Sequence, residues 1–234
     1  MKTYYNLCVD KESGEANIYI FGDITSWDYR EKDVSSYSLA KELESLSEDV
    51  KKINVYINSR GGDVAESLAI RSQLKRHQAK ICTYADGVVA SAAVNIFMAG
   101  DERVMANASL LFIHNAWTSG SGDANAFRKQ AEDLDKYTEQ SIRTYMEHLT
   151  ISEEELKQLM DQETFLDPEQ CLDMGFCTFV EGQSKPKSTS QNAKKVIYEK
   201  LLNANEKVAP VQQPKPGKDE DEGLSPMLKI LKNI

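Results

Sequence analysis

Short apolar runs alternate with amphipathic stretches along the first 181 residues of the chain. The runs predict β-strands at 17–21, 52–57, 80–85, 102–105, 109–114 and 176–180. Between them, apolar residues recur at three- and four-residue steps, which predicts helices around 39–46, 65–74 and, longest, 123–149. Strands that alternate with helices in this way predict an α/β layered core.

Helix ends are also marked in the sequence. Ser152 and Glu155 form a capping box, and Asp167-Pro168 opens a further helix that stops before Gly175. Residues 92–99 are apolar on nearly every side, a pattern that is typical of a buried helix.

The composition changes abruptly after Glu181. Residues 182–222 carry Ser, Lys, Gln, Asn, Pro and acidic residues with almost no aromatic residues, so they cannot bury enough apolar surface to offset their ordering entropy. We therefore expect one folded domain over residues 1–181 and a charged, mostly disordered tail over 182–234. Ser225-Pro226 would open a short terminal helix, which fits either a frayed terminus or a docking peptide.

Charge and cysteine usage restrict the function classes. The chain has 234 residues, with 28 Lys and Arg against 37 Asp and Glu and a formal net charge of −9, which argues against a nucleic-acid partner. No apolar run reaches the roughly 20 residues needed to span a bilayer, and residues 1–15 lack the plan of a signal peptide. The spacing of Cys8, Cys82, Cys171 and Cys177 fits neither a disulfide framework nor a zinc site. We expect reduced thiols, a cytoplasmic location, and no metal or cofactor.

Two adjacent glycines follow the strand predicted at 52–57. Gly61 and Gly62 lie where this strand leads into a helix that begins near Val64. Without side chains, their backbone amides can approach a ligand, and a helix N-terminus favours negative charge. The site suits an oxyanion, although a plain strand-to-helix turn explains the glycines equally simply. The lysine and glycine spacing of a phosphate-binding loop is absent.

Ser91 lies at the start of the predicted buried helix, between the small residues Ala90 and Ala92. Serine is a common N-cap, which is one explanation for it. The other is a nucleophile beside a helix amide that binds the developing oxyanion. The surrounding residues do not form the Gly-x-Ser-x-Gly elbow.

A serine nucleophile needs a base, and the chain has three histidines. His77 and His148 fall near predicted helix ends, where a cation complements the helix dipole. His114 ends the apolar strand at 109–114, at the place where α/β folds present catalytic groups. A strand-end histidine can also merely satisfy a backbone group. Because Ser91 and the glycine pair lie at element ends as well, we take His114 as the candidate base.

Four motifs carry a family resemblance. They are Ile57-Asn58-Ser59-Arg60-Gly61-Gly62, Gly87-x-x-Ala90-Ser91-Ala92-Ala93, Ile113-His114-Asn115 and Glu163-Thr164-Phe165-Leu166. In order and spacing across residues 17–181 they resemble the Clp-type serine peptidases (ClpP-like). The Glu-Thr-Phe version of the last motif and the charged tail are most similar to the phage and prophage head maturation proteases.

The resemblance assigns roles to individual residues. It implies that Ser91 is the nucleophile and His114 the general base and then the general acid. It also implies that the amides of Gly62 and Ala92 form the oxyanion hole, with Gly61 allowing the close approach.

The third catalytic member departs from the family pattern. The family has an aspartate where this chain has Glu163, which can still orient an imidazole, and Asp161 is the reserve candidate. Ala116 stands where many relatives have proline, which affects the geometry of a bound substrate strand.

The resemblance further implies a ClpP/crotonase-like spiral of ββα units, with the helix at 123–149 as a protruding handle. Relatives form heptameric rings, which stack in pairs. The implied activity is that of a serine endopeptidase that processes capsid or scaffold proteins, with no nucleic acid, membrane or cofactor, and we do not expect coupling to an ATP-driven unfoldase. Two alternatives stay open: an acyl-CoA hydratase or isomerase of the same fold, and a catalytically inactive capsid-assembly or scaffold-binding protein.

Overall fold

The computed structural model describes residues 8–10, 14–27, 33–47 and 49–182. The tail predicted over 182–234 and its terminal helix lie almost entirely outside the described residues. The division into a folded domain and a tail therefore stays a prediction.

Eight strands and six helices alternate through the described residues. The strands are β1 (Cys8–Asp10), β2 (Glu15–Ile20), β3 (Lys52–Ser59), β4 (Lys80–Ala90), β5 (Glu102–Met105), β6 (Leu110–Ile113), β7 (Thr164–Leu166) and β8 (Phe179–Val180). The helices are α1 (Ser36–Ser45), α2 (Val64–Arg76), α3 (Ala92–Phe97), α4 (Ala124–Met146), α5 (Glu153–Asp161) and α6 (Pro168–Met174). The predicted α/β architecture is confirmed.

The sheet is mostly parallel and divides at β4. Its main path runs β1-β2-β3-β4-β5-β8, with β1 antiparallel at the edge. The first half of β4 pairs with β5 through Cys82 to Ala85, and its second half pairs with β6 through Val88 to Ala90. Strand β7 then adds to β6 in antiparallel fashion. On one side β4 thus changes its neighbour from β5 to β6, while on the other side Val89 still pairs with Ser59 of β3.

Strand β4 is longer than its apolar run predicts, since the run stops at residue 85 and the strand continues to Ala90. Asp86 and Gly87 interrupt the pattern at the point where β4 changes neighbours. Asn58 contacts β4 at this point. Its Oδ1 accepts a hydrogen bond of 3.1 Å from the Val88 amide, and a side chain at position 87 would collide with it, because a Cβ at Gly87 would lie 2.6 Å from that oxygen. The apolar pattern of β4 does not reveal these two contacts with Asn58, which is about 30 residues away in the chain.

The ends of the chain's short strands also differ from prediction. The run at 176–180 forms strand only at Phe179–Val180, because the chain first leaves α6 through Gly175, whose φ is +93°. Strand β7 was not predicted, since three residues are too few to show a period of two. The capping box of Ser152 and Glu155 and the cap of Asp167 are both confirmed.

The core lies between the sheet and the helices, with α3 at its centre. All six residues of α3 are buried, which confirms the predicted buried helix, and α3 packs against both α2 and α4. Among the described residues no helix is both long and apolar enough to cross a membrane. The fold thus anchors the short helix that begins after Ser91 on all sides.

Candidate active site

Ser91 connects the end of β4 to the start of α3. Its backbone has φ +56° and ψ −126°, a conformation that non-glycine residues rarely adopt. Its amide donates a hydrogen bond of 2.9 Å to the carbonyl oxygen of Phe112 on the neighbouring strand β6. Ser91 occupies the N-cap position, but its side chain makes no cap hydrogen bond. The interpretation of the Ser91 hydroxyl as a helix cap is therefore wrong.

The hydroxyl instead contacts His114. Ser91 Oγ and His114 Nε2 lie 2.7 Å apart, within hydrogen-bond distance. The contact follows from the sheet, because β4 and β6 are parallel neighbours with Ala90 opposite Phe112. Residues that follow parallel strands meet at the same edge of a sheet. The two residues are 23 positions apart in the chain, and the register between β4 and β6 brings them together.

The imidazole of His114 is held in a largely buried, aromatic setting. Its side chain is 8% exposed, and its ring stacks on Phe112 with centroids 5.2 Å apart. Phe112 in turn packs on Phe165 of β7 at 4.5 Å. Burial lowers the pKa of His114 below its ordinary value, and the negative charge of Glu163 opposes this by raising the pKa. The net effect is an imidazole that is neutral at pH 7 and so able to accept a proton.

The two carboxylate candidates make different contacts. Glu163 precedes β7 directly and has φ +50°, and its charge acts on His114. Asp161, the last residue of α5, accepts a hydrogen bond of 2.7 Å from Nδ2 of Asn115. The structure therefore links Glu163 electrostatically to the histidine and links Asp161 to the residue that follows it.

Gly61 lies directly against Ser91, and Gly62 lies against the backbone of Ile24. A Cβ at Gly61 would lie 2.6 Å from the carbonyl oxygen of Ala90, 2.8 Å from the Ser91 Cβ and 2.9 Å from the Ala92 nitrogen. Gly61 has φ +99° and Gly62 has φ +138°, both in the left-handed region that favours glycine. The glycines are thus required both by conformation and by the close approach of two chain segments.

The amides at this contact are used differently. The Gly61 amide donates to Ser59 Oγ at 3.1 Å, and Ser59 Oγ donates to the carbonyl oxygen of Gly22 at 2.6 Å. No hydrogen bond from the Gly62 amide is found within the described part of the chain. Ala92 is the first residue of α3, where helical geometry leaves the amide without an intrahelical partner. The amides of Gly62 and Ala92 are therefore not used by the hydrogen bonds found in the described residues.

The other histidines lie elsewhere. His77 caps the end of α2, and its Nδ1 accepts from the Ala79 amide at 3.1 Å. His148 follows α4, and burial together with the positive charge of Arg103 lowers its pKa. Neither is paired with a serine by any hydrogen bond found in the described residues. No group of three potential metal ligands was found among those residues either.

Ser59 and Asn115 belong to the motifs that carry the resemblance, and the structure gives each a specific contact. Ser59 holds the glycine turn through its hydroxyl, and Asn115 joins the end of β6 to the end of α5. The available signal was a small polar residue one or two positions from a candidate site residue. The partners, Gly22 and Asp161, are distant in sequence and gave no such signal.

Comparisons with known structures agree with the architecture. A ClpP1 mutant from Listeria monocytogenes superimposes with a TM-score of 0.60 at 21% sequence identity, covering 71% of this chain and 91% of that chain. The fold is therefore ClpP-like: a mixed α/β spiral whose serine and histidine lie beside a glycine turn.

Sequence comparisons identify the family. The sequence profile of the family described as Clp protease matches residues 24–183, and the chain belongs to this family. An ATP-dependent Clp protease proteolytic subunit of Deinococcus radiodurans is 28% identical over 137 residues, which is 58% of this chain and 67% of that protein. A protein of the same description from Bdellovibrio bacteriovorus is 30% identical over 142 residues, with the same coverage.

Proposed function

We propose that this chain is a serine endopeptidase that hydrolyses peptide bonds through an acyl-enzyme. The single observation that carries the proposal is the 2.7 Å contact between Ser91 Oγ and His114 Nε2. The membership in a peptidase family supports it.

The proposed first half-reaction forms the acyl-enzyme. His114 Nε2 accepts the proton of the Ser91 hydroxyl as Oγ attacks the scissile carbonyl carbon. The negative charge that develops on the carbonyl oxygen is stabilised by the amides of Gly62 and Ala92. His114 then donates its proton to the leaving nitrogen, and the peptide bond breaks. Glu163 stabilises the imidazolium that exists between these two transfers.

The second half-reaction releases the product. A water molecule loses a proton to His114 and attacks the acyl carbon, and Ser91 leaves with the proton returned from the imidazole. Every proton and bond is accounted for by the chain, the peptide and water. We therefore expect hydrolysis of a short peptide without added nucleotide.

We further propose that the enzyme acts in a bacterial cell on capsid or scaffold proteins of a phage or prophage. The Glu-Thr-Phe motif at Glu163 supports this branch of the family. We also propose a ring of subunits, in keeping with the family and with the exposed apolar residues of α4, Phe127 and Tyr137.

A fluorophosphonate probe tests the chemistry without knowledge of the substrate. We expect labelling of the wild type at Ser91, located by peptide mass spectrometry, and none in Ser91→Ala. His114→Ala should lose labelling almost completely, because removal of either member of such a pair costs about 10⁶-fold in kcat. A wild type that is not labelled would contradict the proposal and favour an inactive assembly protein or a hydratase, and equal labelling of wild type and His114→Ala would exclude His114 as the base.

A capsid precursor tests the substrate class. Co-expression of the chain with candidate capsid and scaffold proteins should give cleavage fragments with wild type and intact precursor with Ser91→Ala. Equal cleavage with both would show that another protease is responsible.

A further inference from the structure

The two residues that follow His114 are both joined to helices. Asn115 Nδ2 donates a hydrogen bond of 2.7 Å to Oδ1 of Asp161, at the end of α5. The Ala116 amide donates a hydrogen bond of 3.0 Å to Oγ1 of Thr138 in α4, a contact that a proline at this position could not make. The chain beyond His114 is therefore attached on two sides.

The Asn115–Asp161 contact closes an antiparallel ladder. Strands β6 and β7 pair Leu111 with Leu166, Phe112 with Phe165, and Ile113 with Thr164. Continuing the register by one residue puts His114 opposite Glu163. The pair Ile113–Thr164 lies on one side of these two residues, and the Asn115–Asp161 hydrogen bond lies on the other. His114 and Glu163 are thus enclosed between two cross-connections.

The end of α5 determines where Glu163 lies. The Glu163 amide donates to the Met160 carbonyl oxygen at 3.1 Å, and the buried hydroxyl of Thr164 donates to the Leu159 carbonyl oxygen at 2.7 Å. Glu163 itself has φ +50°, a conformation that costs about 1–3 kcal/mol and persists only when the surroundings enforce it. Only Gln162 separates Asp161 from Glu163, and its amide donates to the Gln158 carbonyl oxygen at 3.1 Å, so we expect a displacement of Asp161 to move Glu163.

We propose that Asn115 and Asp161 are positioning residues whose mutual hydrogen bond holds Glu163 against His114. Neither touches the reacting atoms; they act through the two residues that they enclose. This inference rests on the proposed peptidase function and gives Asp161 a role other than that of the third catalytic member.

The hydrogen bond between Asn115 and Asp161 is called the clamp below. Rates of labelling by the fluorophosphonate probe test the clamp in the full chain. Asn115→Ala and Asp161→Ala should each slow labelling of Ser91 by about 10- to 100-fold, the size expected when a catalytic group is misplaced by about 1 Å. The double variant should be no slower than either single variant, because both remove the same contact. Asp161→Asn keeps an acceptor oxygen and should recover most of the rate.

Lys157→Ala is the matched control. Lys157 lies on α5 as well and pairs with Glu153 at 2.6 Å on the exposed face. Its loss perturbs the helix without touching the clamp, so labelling should stay at the wild-type rate. Circular dichroism and thermal unfolding of every variant identify any that fail to fold, and the comparison is then made between the wild type and whichever of Asn115→Ala and Asp161→Ala folds.

A second readout does not depend on activity. Deuterium exchange at the C2 position of histidine, followed by mass spectrometry, gives the pKa of each of the three histidines separately. Among the described residues, the charge found to raise the pKa of His114 is that of Glu163. In Asn115→Ala the pKa of His114 should therefore fall below the wild-type value, whereas Lys157→Ala should leave it unchanged.

The outcomes separate the two proposals. A wild type that is not labelled refutes the peptidase, while the His114 titration still tests the clamp. An Asn115→Ala variant with unchanged labelling and unchanged His114 titration overturns the clamp, as do strictly additive effects in the double variant. If Asp161→Ala is as inactive as Glu163→Ala while Asn115→Ala is silent, Asp161 is the third catalytic member.

Discussion

Ser91 and Glu163 share a backbone conformation that is unusual for residues with a side chain. They are the two non-glycine residues with positive φ in the described part of the chain, at +56° and +50°. Such strain persists where the surrounding structure enforces it, and it concentrates at functional sites. Both residues belong to the site inferred from the motifs. This observation does not use the family resemblance, and it supports Glu163 over Asp161 as the partner of His114.

A methyl group at Gly61 should inactivate the site. In Gly61→Ala the new Cβ would lie 2.6 Å from the Ala90 carbonyl oxygen and 2.8 Å from the Ser91 Cβ, so the turn that carries Ser91 must move. We expect fluorophosphonate labelling to slow by about 10²-fold or more.

Gly14→Ala is the control for this experiment. Gly14 also has positive φ, at +69°, but its Cβ would meet nothing closer than the Asp49 carbonyl oxygen at 3.4 Å. It should cost about 1–2 kcal/mol of stability in urea unfolding and leave labelling unchanged. Labelling of Gly61→Ala at the wild-type rate would show that the contact with Ser91 is not needed.

The fall of the fluorophosphonate labelling rate at acidic pH should report the protonation of His114. Burial lowers the pKa of His114 below the ordinary value of 6.5, so the imidazole stays neutral at pH values where a solvated histidine is already protonated. Labelling should therefore be constant around pH 7 and fall on acidification with a midpoint below 6.5. In Glu163→Gln the midpoint should move lower, because a charge that raises the pKa has been removed. A wild-type midpoint above 7 would contradict this account.

At the scale of elements, strand β4 decides whether the site forms. Its first half pairs with β5 and its second half with β6, which places the ends of β4 and β6 side by side. The apolar pattern predicted only the first half. The second half is short, and its pairing with β6 depends on residues about 20 positions further along the chain, which a local pattern cannot report.

Another element-level feature is the attachment of β5 to α6 through a buried arginine. The guanidinium of Arg103 donates to the carbonyl oxygens of Phe176 at 2.8 Å, Gly100 at 2.9 Å and Gly175 at 3.3 Å. These acceptors come from two separate turns, and one planar group satisfies all three. The arginine therefore joins the end of α6 to the sheet.

Arg103→Lys should destabilise the fold. A lysine cannot reach three acceptors at once, and each buried polar group left unpaired costs about 1–3 kcal/mol. We expect a loss of about 2–4 kcal/mol in urea unfolding. Arg143→Lys, at an exposed position in the last turn of α4, is the control and should change little. Equal stabilities of the two variants would show that the three carbonyl contacts do not stabilise the protein.

At the scale of the whole molecule, the long helix α4 leaves most of its surface uncovered by the other described residues. It has 23 residues, yet its buried residues, Ser141, Ile142, Thr144 and Tyr145, all lie near its C-terminal end. Nearer its start, Phe127 is 50% exposed, and Tyr137 in the next turns is 43% exposed. Large apolar side chains on an exposed helix surface favour contact with another subunit, in keeping with the proposed ring.

Phe127→Ser should weaken assembly while leaving the subunit folded. The Phe127 ring lies outside the hydrophobic core formed by the described residues, but it would bury apolar surface between subunits. Native mass spectrometry and light scattering should show smaller assemblies for Phe127→Ser. Arg128→Ser, at the adjacent exposed position, is the control. An unchanged mass of the Phe127→Ser assembly would exclude this side chain from the subunit contact.

Local signals in the chain were sufficient for the α/β class, the buried helix after Ser91, the long helix α4 and the helix caps, because each depends on residues within a few positions of one another. They also marked Ser91, His114 and the glycine pair as residues at element ends. The contact of Ser91 with His114, the existence of β7 and the different partners of Glu163 and Asp161 depend on strand register between distant segments. Register is set by how the whole sheet and its helices pack, and so these features are visible only in the folded chain.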